Sequence, residues 1–309
     1  MFGSPILRDV VYRDRNPDAM DIDVRNVQHF EGTGPNHSFA MDVWQPAASS
    51  RLHGIIERIW YWDGTAADPF EAVYPDVTIE LVVQLDYRYR PVRAGVPGAA
   101  FPWVSLDGVR HEVQTIGAPS QRCRVLGVRM PPGIAFALLR EPLEHLADRT
   151  VDVGDLLGRT TDDLVARCSD ANDGPAAIAN AADWVEHRLA RDAIDDIAVR
   201  CARMLVARGG AIAIAALADE VGLSAASLTR RFKLYVGTTP KRFARIARFR
   251  KTLDALDAGA TLADVTYRMR YSDHAHLDAE FRAHAGISPS TYRDTDHFRT
   301  TAATDVAAE

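Results

Sequence analysis

Apolar and polar positions change rhythm along this chain. Between Ile55 and Met130 they come in short bursts that tend to alternate, the spacing of strands with one buried face. Ile55-Ile56-Glu57-Arg58-Ile59-Trp60-Tyr61-Trp62 is aromatic and β-branched. Val77-Thr78-Ile79-Glu80-Leu81-Val82-Val83-Gln84-Leu85 partly alternates and then turns apolar on both faces. Residues 113–116 and 125–130 are further short strand segments. Pro91, Gly95, Pro97, Gly98, Pro102, Gly108, Gly117 and Pro119 punctuate the stretch, which predicts a small sandwich or barrel. After Pro131-Pro132 the period becomes helical, over 133–140, 142–149, 153–157, 161–168 and 176–208. Asp152 and Thr161 stand where N-caps belong. This helical stretch packs beside the barrel or pairs with a second subunit; the pattern leaves both open. Residues 1–50, broken by Gly32, Gly34, Pro35 and Pro46, keep no period and read as an irregular arm.

Gly209-Gly210 breaks the helical run, and beyond it the chain repeats itself. Leu217-Ala218-Asp219-Glu220-Val221-Gly222-Leu223-Ser224 is followed by Leu228, Phe232, Lys233, Gly237 and Pro240. Val265-Thr266-Tyr267-Arg268-Met269-Arg270-Tyr271-Ser272 is followed by Leu277, Phe281, Arg282, Gly286 and Pro289. The apolar, Gly and Pro positions agree at an offset of 48 residues and, after one insertion, 49. Such agreement marks a duplicated supersecondary unit.

The unit has a physical logic. Leu217 and Val221 give one helix an apolar face, Gly222 turns the chain, and Ser224 is placed to cap a second helix. Leu228 and Phe232, four apart, bury one face of that helix and leave Thr229, Arg230 and Lys233 outward. This is the design of a helix–turn–helix, whose second helix enters the major groove. A spacer over 240–258 opens on Pro240, stops at Gly259 and carries an apolar stripe of Phe243, Ile246 and Leu253. Its length, about 28 Å at 1.5 Å per residue, suits two recognition helices about one DNA turn apart.

With these residues in view, 211–294 resembles the DNA-binding domain of the AraC/XylS family of transcription regulators. The resemblance rests on the Leu-Ala-x-x-x-Gly-Leu-Ser start, the run Leu228–Lys233, Gly-Thr-Thr-Pro at 237–240 and Gly-Ile-Ser-Pro-Ser-x-Tyr-Arg at 286–293. Upstream, Tyr74-Pro75-Asp76 and Arg129-Met130-Pro131-Pro132-Gly133 look similar to the N-terminal domains of one AraC-type subgroup. The expected fold is α+β. A small cupin-like β-barrel or sandwich with following helices precedes an all-α domain of two helix–turn–helix units on a linker helix. The expected divisions are an arm over 1–50, a sensor or dimerisation domain over 51–208, the DNA-binding domain over 209–294 and a disordered tail over 295–309. The chain departs from the family at Arg270, where the family usually has Gly, and at Ala279, where an arginine is common. Asp278 and Glu280 flank Ala279, so the second recognition helix looks acidic where phosphates would lie.

Charge sharpens this picture. The formal net charge of −6 argues against a phosphate partner for the chain as a whole. Over 209–294, however, 13 basic residues face nine acidic ones, leaving the rest of the chain at −10. From Arg230 through Lys251 there are nine basic residues and no acidic one. The candidates for base contact are Ala226, Ser227, Thr229 and Arg230, with His274, Ala275 and Asp278 on the second recognition helix; Arg is the commonest partner of guanine. Arg231, Lys233, Lys241, Arg242, Arg245 and Arg248 are the candidates for phosphate contact. Trp60, Trp62, Tyr74 and Trp103 line a candidate effector pocket or sit in an ordinary core. His53 and His111 make no metal set, no catalytic constellation appears, and no cofactor is expected. Cys123, Cys168 and Cys201 form no disulfide framework, which with the lack of a signal or membrane span suits a reducing cytoplasm. The expected partners are double-stranded DNA and a small-molecule effector, with RNA polymerase and a second copy as further candidates. An enzyme fused to a DNA-targeting domain and a non-sensing adaptor are the rival readings.

Overall fold

A computed structural model describes residues 11–14, 27–34, 37–66 and 68–294. Eight antiparallel strands form the main sheet, in the spatial order Val11–Asp14, Val27–Gly34, His37–Trp44, Arg58–Gly64, Cys123–Met130, Ile79–Gln84, Val104–Asp107 and Thr150–Asp152. Four short strands, Phe70–Val73, Gln114–Gly117, Arg90–Arg93 and Val96–Pro97, make a second sheet. The expected sandwich is therefore present, followed by helices and a helical C-terminal region.

Register explains which face does what, because residues paired across antiparallel strands point the same way. The row Trp44, Ile59, Val128, Leu81 and Leu106 runs across five strands and is buried against the helices that follow, among them Gly174–Arg188. The neighbouring row, Val43, Trp60, Gly127, Val82 and Ser105, lies on the opposite face. There Phe39, Met41, Trp60, Trp62, Tyr89, Cys123 and Val125 form a second cluster, with Ile116 and Phe101 packed against it. Gly127 is required at that point: a Cβ would stand 2.2–2.4 Å from the Trp60 ring.

The arm is corrected in part. Residues 27–34 and 37–44 are strands of the main sheet, not irregular chain. Phe39, Met41 and Val43 fill the inner face, while Trp44 faces the helices. The polar residues that hid the period are paired: His29 Nδ1 lies 2.5 Å from the Asp42 carboxylate, and both are buried. Val11–Asp14 is a strand of the same sheet, while residues 1–10, 15–26 and 35–36 of the arm, and the tail expected over 295–309, lie outside the described residues.

The long helix read over 176–208 is two helices, Gly174–Arg188 and Asp196–Ala207, with a 3-10 turn between them. The first ends at the extended Leu189, and Asp195 opens the second, since its side chain accepts the Ala198 N–H and caps a new helix. Asp152 caps as expected, taking the Gly154 N–H at 2.7 Å. Thr161 does not; it sits inside the helix Thr160–Ser169 and donates to the Gly158 carbonyl. Among the described residues, no helix is long and apolar enough to cross a membrane.

The body and the C-terminal helices share one hydrophobic core. Leu217, Leu228, Phe232, Phe243 and Ile246 belong to the same buried cluster as the sheet's outer face. Gly210, at φ 71°, lies so close to the next long helix that a Cβ would be 2.0 Å from the Ala244 carbonyl oxygen.

Candidate nucleic-acid interface

Both helix–turn–helix units form, each with its punctuation in place. In the first, Ile214–Asp219 leads through Gly222, at φ 68°, into the first recognition helix, Ala225–Val236. Ser224 caps that helix by accepting the Ser227 N–H. Gly237, at φ 91°, ends it. The linker helix Pro240–Asp257 starts from the Thr239 cap with Pro240 in its first turn. It is about 27 Å long at 1.5 Å per residue. In the second unit a Thr261–Asp264 capping box opens Leu262–Arg268. Asp273 caps the second recognition helix, His274–Ala285. Leu228, Phe232, Phe243, Ile246 and Leu253 are all buried, as the apolar stripes require.

On the first recognition helix, Ala226 and Arg230 are exposed and Ser227 and Thr229 half-buried. Arg230 Nη2 donates to Ser227 Oγ at 3.1 Å, and Thr229 Oγ1 donates back to the Ala225 carbonyl. These four residues stand together on the outward side. Arg231 and Lys233 do not join them. Arg231 forms an ion pair with Asp195, whose side chain is buried, and Lys233 lies 3.5 Å from Glu144. Both carboxylates belong to the body, so these two expected phosphate contacts are held in ion pairs within the molecule in this state.

The linker helix divides in the same way. Lys241 and Arg242 are exposed. Arg245 and Arg248 grip the two oxygens of Glu280, at 2.8 and 2.6 Å, and Arg248 also lies over the Tyr271 ring. Glu280 is itself buried, so it does not present its charge to phosphates as its flanking position suggested. The pairing ties the linker to the second recognition helix and engages two of the expected phosphate ligands, the one carboxylate offsetting one of their two positive charges. Charge order alone hid this contact, since 32 and 35 residues separate the partners.

On the second recognition helix, His274 and Ala275 are exposed. His274 Nδ1 is 3.3 Å from Thr266 Oγ1, His276 packs edge-on against Tyr271, and Asp278 pairs with Arg282 at 2.7 Å. Arg270 holds φ 57°, the left-handed conformation that favours glycine.

The four pocket residues separate. A cavity of about 110 Å³ lies between the two sheets, and of the four only Trp60 lines it. Glu71, Glu80, Gln84, Tyr89, Phe101 and Asp107 are among its other walls. Trp60 Nε1 donates to Glu80 at 2.7 Å. Trp62 is buried in the neighbouring core, and Trp103 is on the surface beneath the Arg88 guanidinium. Tyr74 is at the junction with the C-terminal domain, edge-on to Tyr292 and tilted against Phe249. The acidic and amide side chains were legible in part, because Glu80, Val82 and Gln84 share one face of a strand at a period of two.

That junction is extensive. Arg129 Nη2 donates to Asp76 Oδ2 at 2.5 Å, and Arg250 of the linker helix lies 3.5 Å from the same oxygen. These two arginines hold the Asp76 carboxyl well below the usual carboxylate range, against the effect of burial. His111 Nε2 is 2.9 Å from Thr238 Oγ1, and the His284 backbone carbonyl accepts the Val113 N–H.

Comparison with known proteins agrees with this geometry. Residues 217–295 match the model of a helix-turn-helix domain, and residues 45–152 match a domain of unknown function. The transcriptional activator RhaS of Escherichia coli (strain K12 / DH10B) is 34% identical over 79 residues. That match covers 25% of this chain and 28% of RhaS, so the two share only about a quarter of their length. Among solved structures, ToxT from Vibrio cholerae superposes with a TM-score of 0.41 at 10% identity, over 73% of this chain and 98% of ToxT. The AraC-like transcriptional activator CuxR gives 0.30 at 15% identity, over 84% and 90%. With both capped units, the linker between them and the matched model in agreement, the C-terminal part of this chain is a helix-turn-helix domain.

Proposed function

We propose that the protein is a sequence-specific DNA-binding transcription regulator whose N-terminal sandwich adjusts the DNA-binding domain in response to a small molecule. The observation that carries the DNA reading is the outward cluster of Ala226, Ser227, Thr229 and Arg230 on a capped recognition helix. Arg230 reads a base, Lys241 and Arg242 hold phosphates, and His274 and Ala275 approach the duplex from the second unit. The remaining expected contacts, Arg245, Arg248 and Asp278, are engaged within the domain in this state.

Two features support effector control. The cavity lies inside the sandwich, and its Glu80 wall is paired in register with Arg129. Arg129 binds Asp76, which also contacts Arg250 of the linker helix. An occupant acting on Glu80 is thus a short chain of charges away from the element that spaces the recognition helices.

Selection of the full-length protein against a random duplex pool tests the regulator reading. One enriched motif with two half-sites about one helical turn apart is expected. Retention of all sequences alike, or of none, overturns it.

A further inference from the structure

The linker helix and the two helix–turn–helix units enclose an open cleft of about 520 Å³. Its walls are Lys241, Arg245 and Arg248 of the linker helix, His276 and Glu280 of the second recognition helix, and the segment over 210–214 that leads into the first unit. Three cations therefore face one carboxylate, and the balance stays positive after Glu280 has taken both of its arginines. Lys241 is exposed and has no ion pair among the described residues. Glu280 takes Arg245 through Nε alone, at 2.8 Å, so Nη1 and Nη2 keep no partner among the described residues. Arg248 is more deeply set: its Nη2 donates to the same carboxylate at 2.6 Å and its guanidinium lies over the Tyr271 ring. His276 Nδ1 accepts the Ser272 N–H at 3.3 Å, which leaves Nε2 to carry the ring proton and to donate. A guanidinium fork with both end N–H groups open, an unpaired ammonium one turn before it and an imidazole donor together suit one tetrahedral oxyanion. Two recognition helices seated in successive major grooves also bring the backbone that crosses between those grooves to this side of the linker.

We propose that the cleft seats one backbone phosphate of the duplex, midway between the half-sites. Arg245 supplies the fork, Lys241 the second cation and His276 a hydrogen-bond donor, while Arg248 stays engaged within the protein. The proposal rests on the DNA reading and adds where the duplex is held between the two units.

Fluorescence anisotropy of the full-length protein with random-sequence duplexes, over a series of salt concentrations, is the first test. Arg245→Ala should weaken all of them and lower the slope of log affinity against log salt by about 1. Should that variant fail to fold, Lys241→Ala removes an exposed side chain and is expected to flatten the slope in the same direction. An unchanged slope overturns the proposal. An equal drop for Arg248→Ala takes the phosphate away from the Arg245 fork and overturns it as well. The second test places uncharged methylphosphonates between the half-sites of a selected duplex. The unaltered protein should lose about tenfold in affinity, and Arg245→Ala should show little of that loss. Equal losses in the two proteins put the contact elsewhere and sink the proposal. Failure of the duplex selection itself counts against the regulator reading alone, because the salt slope on random duplexes needs no preferred site.

Discussion

Arg230 and Arg231 are neighbours in sequence with opposite surroundings. Arg230 is exposed beside Ser227, whereas Arg231 is captured by Asp195 of the body. Arg230→Ala should cost about 1–3 kcal/mol on a selected duplex and relax preference at one base pair. Equal losses on specific and random duplexes would reduce it to a phosphate contact. Arg242→Ala should instead weaken all duplexes alike and lower the slope of log affinity against log salt by about 1. A slope identical to that of the unaltered protein would remove Arg242 from the interface. Arg270 poses a different question, because a side chain at φ 57° is strained where the family usually has glycine. Arg270→Gly should stabilise the protein by about 1 kcal/mol in urea unfolding. A loss of stability there would mean that the Arg270 side chain contributes more than the strain costs.

At the level of elements, capping and turn chemistry decide where helices begin and end. Ser224, Thr239, Thr261 and Asp273 each accept a backbone N–H at a helix start. One of these, Ser224, is legible from residue type and spacing alone, as is the turn at Gly222 before it. The same signals mislead at Thr161, whose hydroxyl turns back to a carbonyl inside a helix already begun. They also miss the break at Asp195, because a helical period in the apolar residues continues on both sides of it. Element pairing is held by long-range charge: Glu280 bridges the linker helix to the second recognition helix through Arg245 and Arg248. Glu280→Ala should destabilise the protein by about 1.5–3 kcal/mol. Urea unfolding followed by tryptophan fluorescence measures this, and an unchanged midpoint would show that the bridge contributes nothing net.

For the whole molecule, the junction between sandwich and DNA-binding domain carries the pH dependence. Asp257, half-buried at the C-terminal end of the linker helix, accepts the Tyr292 hydroxyl, and burial pushes its carboxyl up to about 6. The folded state then holds this proton more tightly than the unfolded chain. Its contribution is fully present at low pH, is lost as pH rises from about 4 to about 6, and stays lost above. Asp257→Asn should therefore raise stability at pH 7 by about 1–2 kcal/mol, after allowance for solvent screening, with the gain shrinking toward pH 4. A gain independent of pH would place the effect elsewhere. Asp76 has the opposite sign. Its lowered carboxyl stabilises the fold above its ordinary range and ceases to do so in acid, so the two groups bound a window of greatest stability from both sides.

What the sequence determined by itself was local and periodic. The duplicated unit, its apolar stripes, its caps and its glycine turns are each set within a few residues, so spacing alone exposes them. Strand segments with a buried face, such as Ile79–Gln84, are legible for the same reason. Only the tertiary structure decided which charges remain outside. Asp195, Glu144 and Glu280 claim four of the cations that pattern alone assigned to DNA, across separations no local signal reports. It also decided that Trp60 faces a cavity while Trp62, two residues on, fills the core and Tyr74 joins the domains. Alternation tells which face of a strand a side chain takes; what covers that face depends on the rest of the molecule.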